Sequence, residues 1–298
     1  MKQYISLFLK GMAMGIANVI PGVSGGTIAL ITEIYEKLIN SLKSINLKSI
    51  SLLFKFKFKE FIKTTNFDFL FYVFSGSIFS VFSIALLFEY LFEHYPILIW
   101  SFFFGLIISS IYFIARRITT WNIINVSLLI IGIFFAIILS FQEPSSENKN
   151  LLYIFICGII GISGMMLPGL SGSYILILMG NYELLMVKSV TEFNILFLSV
   201  FFIGSLFGLI IFSHILSWIL KNYRNQTLSI LTGFIIGSLL IVWPWQECTI
   251  WLDIDQQKCI RSIRYFPDYL NFESISAILL IILGIIMVWW IEKFSIKK

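Results

Sequence analysis

The sequence predicts an all-α polytopic membrane protein made of two inverted-topology repeats, each a re-entrant, broken helix hairpin followed by three transmembrane helices. Three observations lead there. The 298 residues are 58% hydrophobic and only 12% charged, with a mean hydropathy of +0.93, against about a quarter charged in soluble domains. Six apolar segments reach the roughly 20 helical residues that cross a hydrocarbon core. Four shorter ones form two pairs, broken at Pro21-Gly22 and Pro168-Gly169, and the two pairs resemble each other.

The first hairpin is expected over 5–39, with arms at 5–20 and 23–39. A basic segment follows at 41–63, then spans at 67–92, 96–115 and 121–141, completing a first repeat over 1–141. The second repeat, 151–298, holds a hairpin at 151–190, spans at 194–220, 226–245 and 274–292, and a long outer loop at 246–273. Short segments interrupted by Pro and Gly at matching places in two halves mark the broken helices of transporters. Such backbone survives at membrane depth only where protein or a water-filled cavity surrounds it. Two full crossings in place of each hairpin would give the same parity, so that alternative stays open.

Charge orients the chain. With both termini in the cytoplasm, the outer side receives only Lys149, Lys188, Lys258, Arg261 and Arg264 of the 21 basic residues, as the positive-inside rule requires. The net charge of +5 thus reads as topology, not as a surface for nucleic acid. No small-residue cleavage site follows the first apolar segment, which is read as retained. Residues 41–63 include SLLFKFKFKEFIK, whose Phe-Lys alternation fits a strand period better than a helical one. They are either an interfacial segment on anionic lipid or an ordinary basic loop.

The internal repeat is explicit. GMAMGIANVIPGVSGGTIALITEIYEKL from Gly11 and GIIGISGMMLPGLSGSYILILMGNYELL from Gly158 pair Pro21, Gly22, Ser24 and Gly25 with Pro168, Gly169, Ser171 and Gly172. Tyr35-Glu36 pairs with Tyr182-Glu183, and FFFGLIISS around Gly105 resembles LTGFIIGS around Gly233. Three spans separate the hairpins, and an odd number inverts the second copy. The tips are then expected to meet near the bilayer middle, around a pseudo-two-fold axis in the membrane plane.

Each tip is a turn leading into a helix. Pro fixes the turn and Gly admits close approach of backbone to a ligand. The expected cradle for a phosphate monoester comprises Asn18, Gly22, Ser24, Gly25, Gly26 and Thr27 on one side. Gly169, Ser171, Gly172 and Ser173 form the other, with helix N-termini aimed inward. The plainer alternative is that these small residues cap and pack helices.

Acidic residues near a membrane segment are costly unless paired, protonated or wet, so Glu33, Glu36 and Glu183 are candidates for proton coupling or gating. Glu33 has Gly180 as its counterpart and either carries a proton or bonds the facing copy. Arg116 and Arg117 either attract the headgroup or set topology. Trp243 and Trp245 either anchor the outer interface or line the lipid's path. Cys248 and Cys259 share the outer loop and are either bonded or reduced, while Cys157 reads as apolar filler. His94 reads as a surface residue, and His214 either titrates or packs. No acidic or histidine cluster suggests a metal, no cofactor is expected, and no Ser-His-Asp order supports an enzyme.

GIANVIPGVSGGTIALITEIYE, MMLPGLSGSYILILMGNYE and GSLLIVWPW, in that order, resemble the DUF368 family of bacterial membrane proteins, which includes polyprenyl-phosphate translocases. The family-like positions are Pro21 to Gly22, Ser24 to Thr27, Tyr35-Glu36, Pro168-Gly169, Ser171-Gly172, Tyr182-Glu183, Gly237-Ser238 and Trp243 to Trp245. The chain departs at Glu33, where the family commonly has Gly, and at Leu240 and Ile241, where many relatives carry basic residues. The resemblance implies movement of undecaprenyl phosphate from the outer to the inner leaflet of the bacterial plasma membrane, for reuse of the carrier lipid. Alternating access is the expected mechanism, with protons as a candidate coupling ion and homo-oligomerisation left open. A carrier of a small soluble anion, a lipid-phosphate phosphatase and a non-transporting scaffold are the rival readings.

Overall fold

A computed structural model describes residues 2–19, 24–253, 258–267, 269 and 271–295. The chain opens with α1 (Lys2–Val19), then α2 (Gly25–Ile31), α3 (Tyr35–Ser44), α4 (Leu47–Phe54), α5 (Phe58–Thr65), α6 (Phe67–His94), α7 (Pro96–Ala115) and α8 (Ile123–Ser140). An extended stretch leads to α9 (Leu151–Met166), α10 (Gly172–Leu178), a π-helical turn (Glu183–Lys188) and α11 (Ser189–Thr191). The long α12 (Ile195–Asn222), α13 (Arg224–Ser238), a two-stranded hairpin of β1 (Gln246–Asp253) and β2 (Lys258–Arg264), and α14 (Phe272–Ser295) complete it.

Local chemistry sets many of these boundaries. Asn122, Asn150 and Asn194 each accept a backbone N–H from the first turn of α8, α9 and α12, the usual N-cap role of a short polar side chain. Pro96 starts α7, where its missing N–H costs nothing. Asn66, in the left-handed region at φ 49°, turns α5 into α6 at 70°.

Pro96–Ala115, Ile123–Ser140, Ile195–Asn222 and Phe272–Trp290 are long and apolar enough to cross a membrane, with a fifth crossing if the bent α5–α6 pair counts as one. Their exposed Phe134, Ile138, Phe202, Phe207, Leu279 and Ile286 form the kind of apolar surface that only lipid covers at this scale. The helices pack in four principal pairs: α1 on α6, α9 on α12, α7 on α14 and α8 on α13. Lipid offers no hydrophobic force between helices, so close approach through small residues decides which faces meet. Glycines sit on both partners at each crossing. Gly11 lies against Val73 and Gly76 against Phe8; Gly158 lies against Phe201 and Gly204 against Phe155. Gly105 faces Ile281, Gly284 faces Phe102, and Gly132 and Gly233 meet directly. The main core, with Tyr35, Ile39, Val73, Ile114, Leu231 and Ile235 fully buried, lies where α2 and α3 enter between these pairs.

Three expectations change. The loop at 246–273 contains an antiparallel hairpin, because QECTIWLD and KCIRSIR pair their backbones; the described residues are therefore helical with one two-stranded exception. Its register sets Cys248 opposite Ser262 and Cys259 opposite Trp251, and the two thiols lie outside the described residues. The span expected at 226–245 is a helix only to Ser238, about 22 Å long at 1.5 Å per residue. It is almost wholly enclosed by protein, so it needs no full-length lipid-facing surface. In the 41–63 segment the Phe-Lys alternation straddles a turn. Asn46 forms a capping box with Ser49 to start α4, Phe56 takes φ 54°, and α5 follows. Phe54, Phe56 and Phe58 stand exposed there. Cys157 is buried with Ile154, Leu176 and Leu185, as filler should be.

Gly233→Leu should drive a side chain into the Leu129 carbonyl and Gly132, destabilising by about 1–3 kcal/mol and lowering the melting midpoint in detergent. Gly161→Ala, which meets only the end of the Leu176 side chain at 3.3 Å, should shift that midpoint less. Equal shifts would contradict the helix crossings described.

Candidate functional site

The two PGxSG elements come together. Ser24 caps α2: its Oγ accepts the Gly26 N–H at 3.1 Å and donates across to the carbonyls of Met165 (3.3 Å) and Leu167 (3.2 Å). Thr27 Oγ1 accepts the Gly169 N–H at 3.0 Å. Tyr35, at the start of α3, sends its buried hydroxyl to the Met166 carbonyl at 3.0 Å. Gly26 lies so close that an added Cβ would sit 3.1 Å from the Met166 carbonyl oxygen. Asn18, from α1, accepts the Gly25 N–H at 2.8 Å. Every side-chain hydroxyl described on the first tip is therefore bonded to its own turn or to the second tip.

The second tip is built differently. Gly169 has φ +81°, and a Cβ there would press on the backbone of Phe234 and Ile235 in α13 at 2.7 Å, so only glycine serves both conformation and space. Ser171 precedes α10 without capping it; its Oγ lies 2.7 Å from Ser173 Oγ. Gly172 packs on the Gly161 carbonyl. Ser24, Thr27 and Ser171 are buried. Pro21 and Gly22 fall outside the described residues.

Toward the open end of the first hairpin, charges collect. Glu33 sits in the left-handed region at φ 62° and its counterpart Gly180 at φ +75°, which gives the physical reason for glycine at this position: both residues end a short helix by turning left. Glu33 pairs with Arg117 at 3.2 Å. Arg117 also reaches the buried Glu292 of α14 at 3.3 Å and donates to the Leu30 carbonyl at 2.8 Å. It thereby caps the negative C-terminal end of α2. Lys10 donates to the Thr32 carbonyl at 2.6 Å beside it. Glu36 pairs with Arg224, at the start of α13, at 2.8 Å. Arg116 lies over the Tyr112 ring. A cavity of about 420 Å³ opens among these groups.

At the second hairpin's mouth, Lys188 bridges Glu147 and Glu183 at 3.2 Å each. Those hydrogen bonds, Glu147's first, raise the Lys188 pKa above the usual lysine value. The C-terminal end of α10 is closed by neutral groups: Ser145 donates to the Leu178 carbonyl, and Asn148 and Asn181 bond each other.

Trp243 joins Phe104, Trp245 and Phe266 in an aromatic cluster and donates to the Tyr265 carbonyl at 3.1 Å, while Trp245 is buried. Arg264 from β2 donates to the Leu240 carbonyl at 2.5 Å. His94 is exposed and His214 half-buried, and both bond carbonyls one turn back on their own helices. Among the described residues no group of three or more His, Cys, Asp or Glu can hold a metal.

Residues 14–260 match the family described as VCA0040-like, undecaprenyl phosphate translocase-like. The chain belongs to that family. The family is one of membrane transporters, not enzymes. A polyprenyl-phosphate transporter of Vibrio cholerae serotype O1 is 36% identical over 99% of this chain and 98% of its own length. A polyprenyl-phosphate transporter of Staphylococcus aureus is 32% identical, covering 79% of this chain and 85% of its own. No solved structure matches. For this VCA0040-like chain, sequence reasoning missed Arg224, Arg264 and Glu292. Glu292 carried a readable signal, an acidic residue closing an apolar span; the two arginines did not, since their partners are remote in sequence.

Glu33→Gly should melt higher than Glu33→Ala. Both lose the carboxylate facing Arg117, but glycine removes a left-handed penalty of roughly 1–2 kcal/mol. Identical midpoints would show that residue 33 is not held left-handed.

Proposed function

We propose that this chain carries undecaprenyl phosphate from the outer to the inner leaflet of the bacterial plasma membrane, binding the phosphate between the hairpin tips while the polyprenyl tail stays in lipid. The observation that carries the reading is the junction of the two tips, Ser24, Thr27 and Tyr35 on the backbone of residues 165–169, in a chain whose relatives are named polyprenyl-phosphate transporters. The helix pairs support two inverted repeats. Exchanging α1, α6, α7 and α8 for α9, α12, α13 and α14 turns the α1–α6 contact into α9–α12 and the α7–α14 contact into α13–α8. The distribution of lysine and arginine supports cytoplasmic termini.

In this arrangement the junction is shut, and the donors a phosphate needs are engaged across it. Rocking of one repeat against the other frees Ser24 Oγ and the Gly169 N–H, beside the uncapped Ser171 and Ser173. A protein hydrogen bond is worth a net ~0.5–1.5 kcal/mol, so exchange onto a charged phosphate acceptor is favourable once the cavity is wet. Inward movement of an anion runs against an interior-negative potential, at about 2.3 kcal/mol per charge per 100 mV. Proton uptake at Glu33, Glu36 or Glu183 would offset it.

The test is reconstitution in liposomes with labelled undecaprenyl phosphate, with and without a pH gradient, beside the double variant Ser24→Ala, Ser171→Ala. The reading expects protein-dependent movement of intact lipid, faster with an inward proton gradient and at least tenfold slower (about 1.4 kcal/mol) in the variant. Movement of a soluble anion alone would favour the small-anion carrier, and release of phosphate from the lipid would favour an enzyme.

A further inference from the structure

The cavity at the first hairpin's mouth is separate from the tips, yet tied to them by one side chain. Tyr35 lines it and also donates its hydroxyl to the Met166 carbonyl at the junction. Its polar lining is Glu33, Glu36, Arg116, Arg117, Thr119 and Arg224. Three guanidinium groups against two carboxylates make a basin of net positive charge, at about 420 Å³ far roomier than a phosphate group requires.

The three arginines are not equivalent. Arg117 is committed, with Leu30, Ile31, Glu33 and Glu292 all within its reach and only 19% of its side chain exposed. Among the described residues Arg224 has one carboxylate partner, Glu36, bound through Nε, and the two are 48% and 47% exposed. Arg116 has a ring contact and, among the described residues, no ion pair. An exposed pair of this kind is worth little, about 0–1 kcal/mol, whereas a guanidinium fork meets a phosphate with two parallel charge-assisted bonds. A phosphate monoester can therefore displace Glu36 from Arg224. The second hairpin's mouth offers no such basin: there one Lys188 stands between Glu147 and Glu183.

We propose that this cavity is a second, mouth-side site for a phosphate monoester, held by Arg116 and Arg224 after Arg224 exchanges Glu36 for the ligand. The inference rests on the transport reading for its ligand class, and on the sequence's charge distribution for placing this mouth on the cytoplasmic side. Glu36 competes with the ligand, so the site accepts a phosphate arriving from the tips and also has a means of expelling it. The carboxylate re-forms the pair as the ligand leaves, and the site releases into water instead of trapping the headgroup.

Opposite signs from the two halves of one ion pair test this. Binding of farnesyl phosphate, inorganic phosphate and neutral farnesol to the purified full chain would be titrated in wild type, Arg224→Gln and Glu36→Gln. The expected result is about tenfold weaker farnesyl phosphate binding in Arg224→Gln, tighter binding in Glu36→Gln, and no change for farnesol. A purely structural pair would weaken binding in both variants, and that outcome, or indifference in both, overturns the proposal. Arg116→Gln, at an exposed position, repeats the loss should Arg224→Gln fail to fold. Inorganic phosphate showing the same opposed responses supports the site and makes the free anion a ligand. If the site responds as expected while liposomes show no lipid movement, the transport reading fails and the site stands. If lipid moves but binding ignores all three variants, the site fails and transport stands.

Discussion

A polypeptide in hydrocarbon must satisfy its own N–H and C=O groups, because no water is there to do so. This chain breaks two helices, after α1 and after α9, and each break releases donors and acceptors. The rest of the structure depends on how they are satisfied. The first tip supplies hydroxyls from Ser24, Thr27 and Tyr35; the second supplies the carbonyls of residues 165–167 and the N–H of Gly169. Neither hairpin is complete without the other. A junction made of a few modest hydrogen bonds, instead of interlocked apolar side chains, is also one that can be reopened at small cost.

The surrounding helices hold the two tips where this contact forms. Glycines at the four helix crossings let backbones approach so closely that almost any side chain would collide with a carbonyl, which fixes the crossing points in a solvent that gives no hydrophobic guidance. Around this similar framework the two mouths differ. The first is closed by ion pairs of Arg117 and Arg224 with Glu33, Glu292 and Glu36, the second largely by amides and one lysine between two glutamates.

Much of this was legible because it is local. Proline and glycine breaks, apolar runs and the Tyr-Glu pairs declare themselves within a few residues, and they were enough to read a helical, multi-span membrane protein. The Phe-Lys alternation misled because it straddles a turn: the helices on either side are set by Asn46 and Asn66, not by the alternation. The β hairpin was not legible because neither QECTIWLD nor KCIRSIR alternates cleanly, and pairing is a property of two segments that neither alone announces. The pairs of Glu36 with Arg224 and Arg117 with Glu292 join residues that only the tertiary fold brings together. Glu33 stands opposite Gly180 in the internal repeat; that its backbone takes the left-handed conformation of that glycine could be seen only in three dimensions.

The central claim is that the tip junction must open for the headgroup to pass. Ser24→Cys combined with Leu167→Cys, in a chain whose native cysteines are replaced by serine, places two thiols across it for a short, reducible bifunctional reagent. Reconstituted protein would be assayed for lipid translocation before cross-linking, after it, and after reduction. The account predicts efficient cross-linking, loss of translocation while the link is intact, and recovery on reduction. Translocation at an undiminished rate by fully cross-linked protein would contradict it.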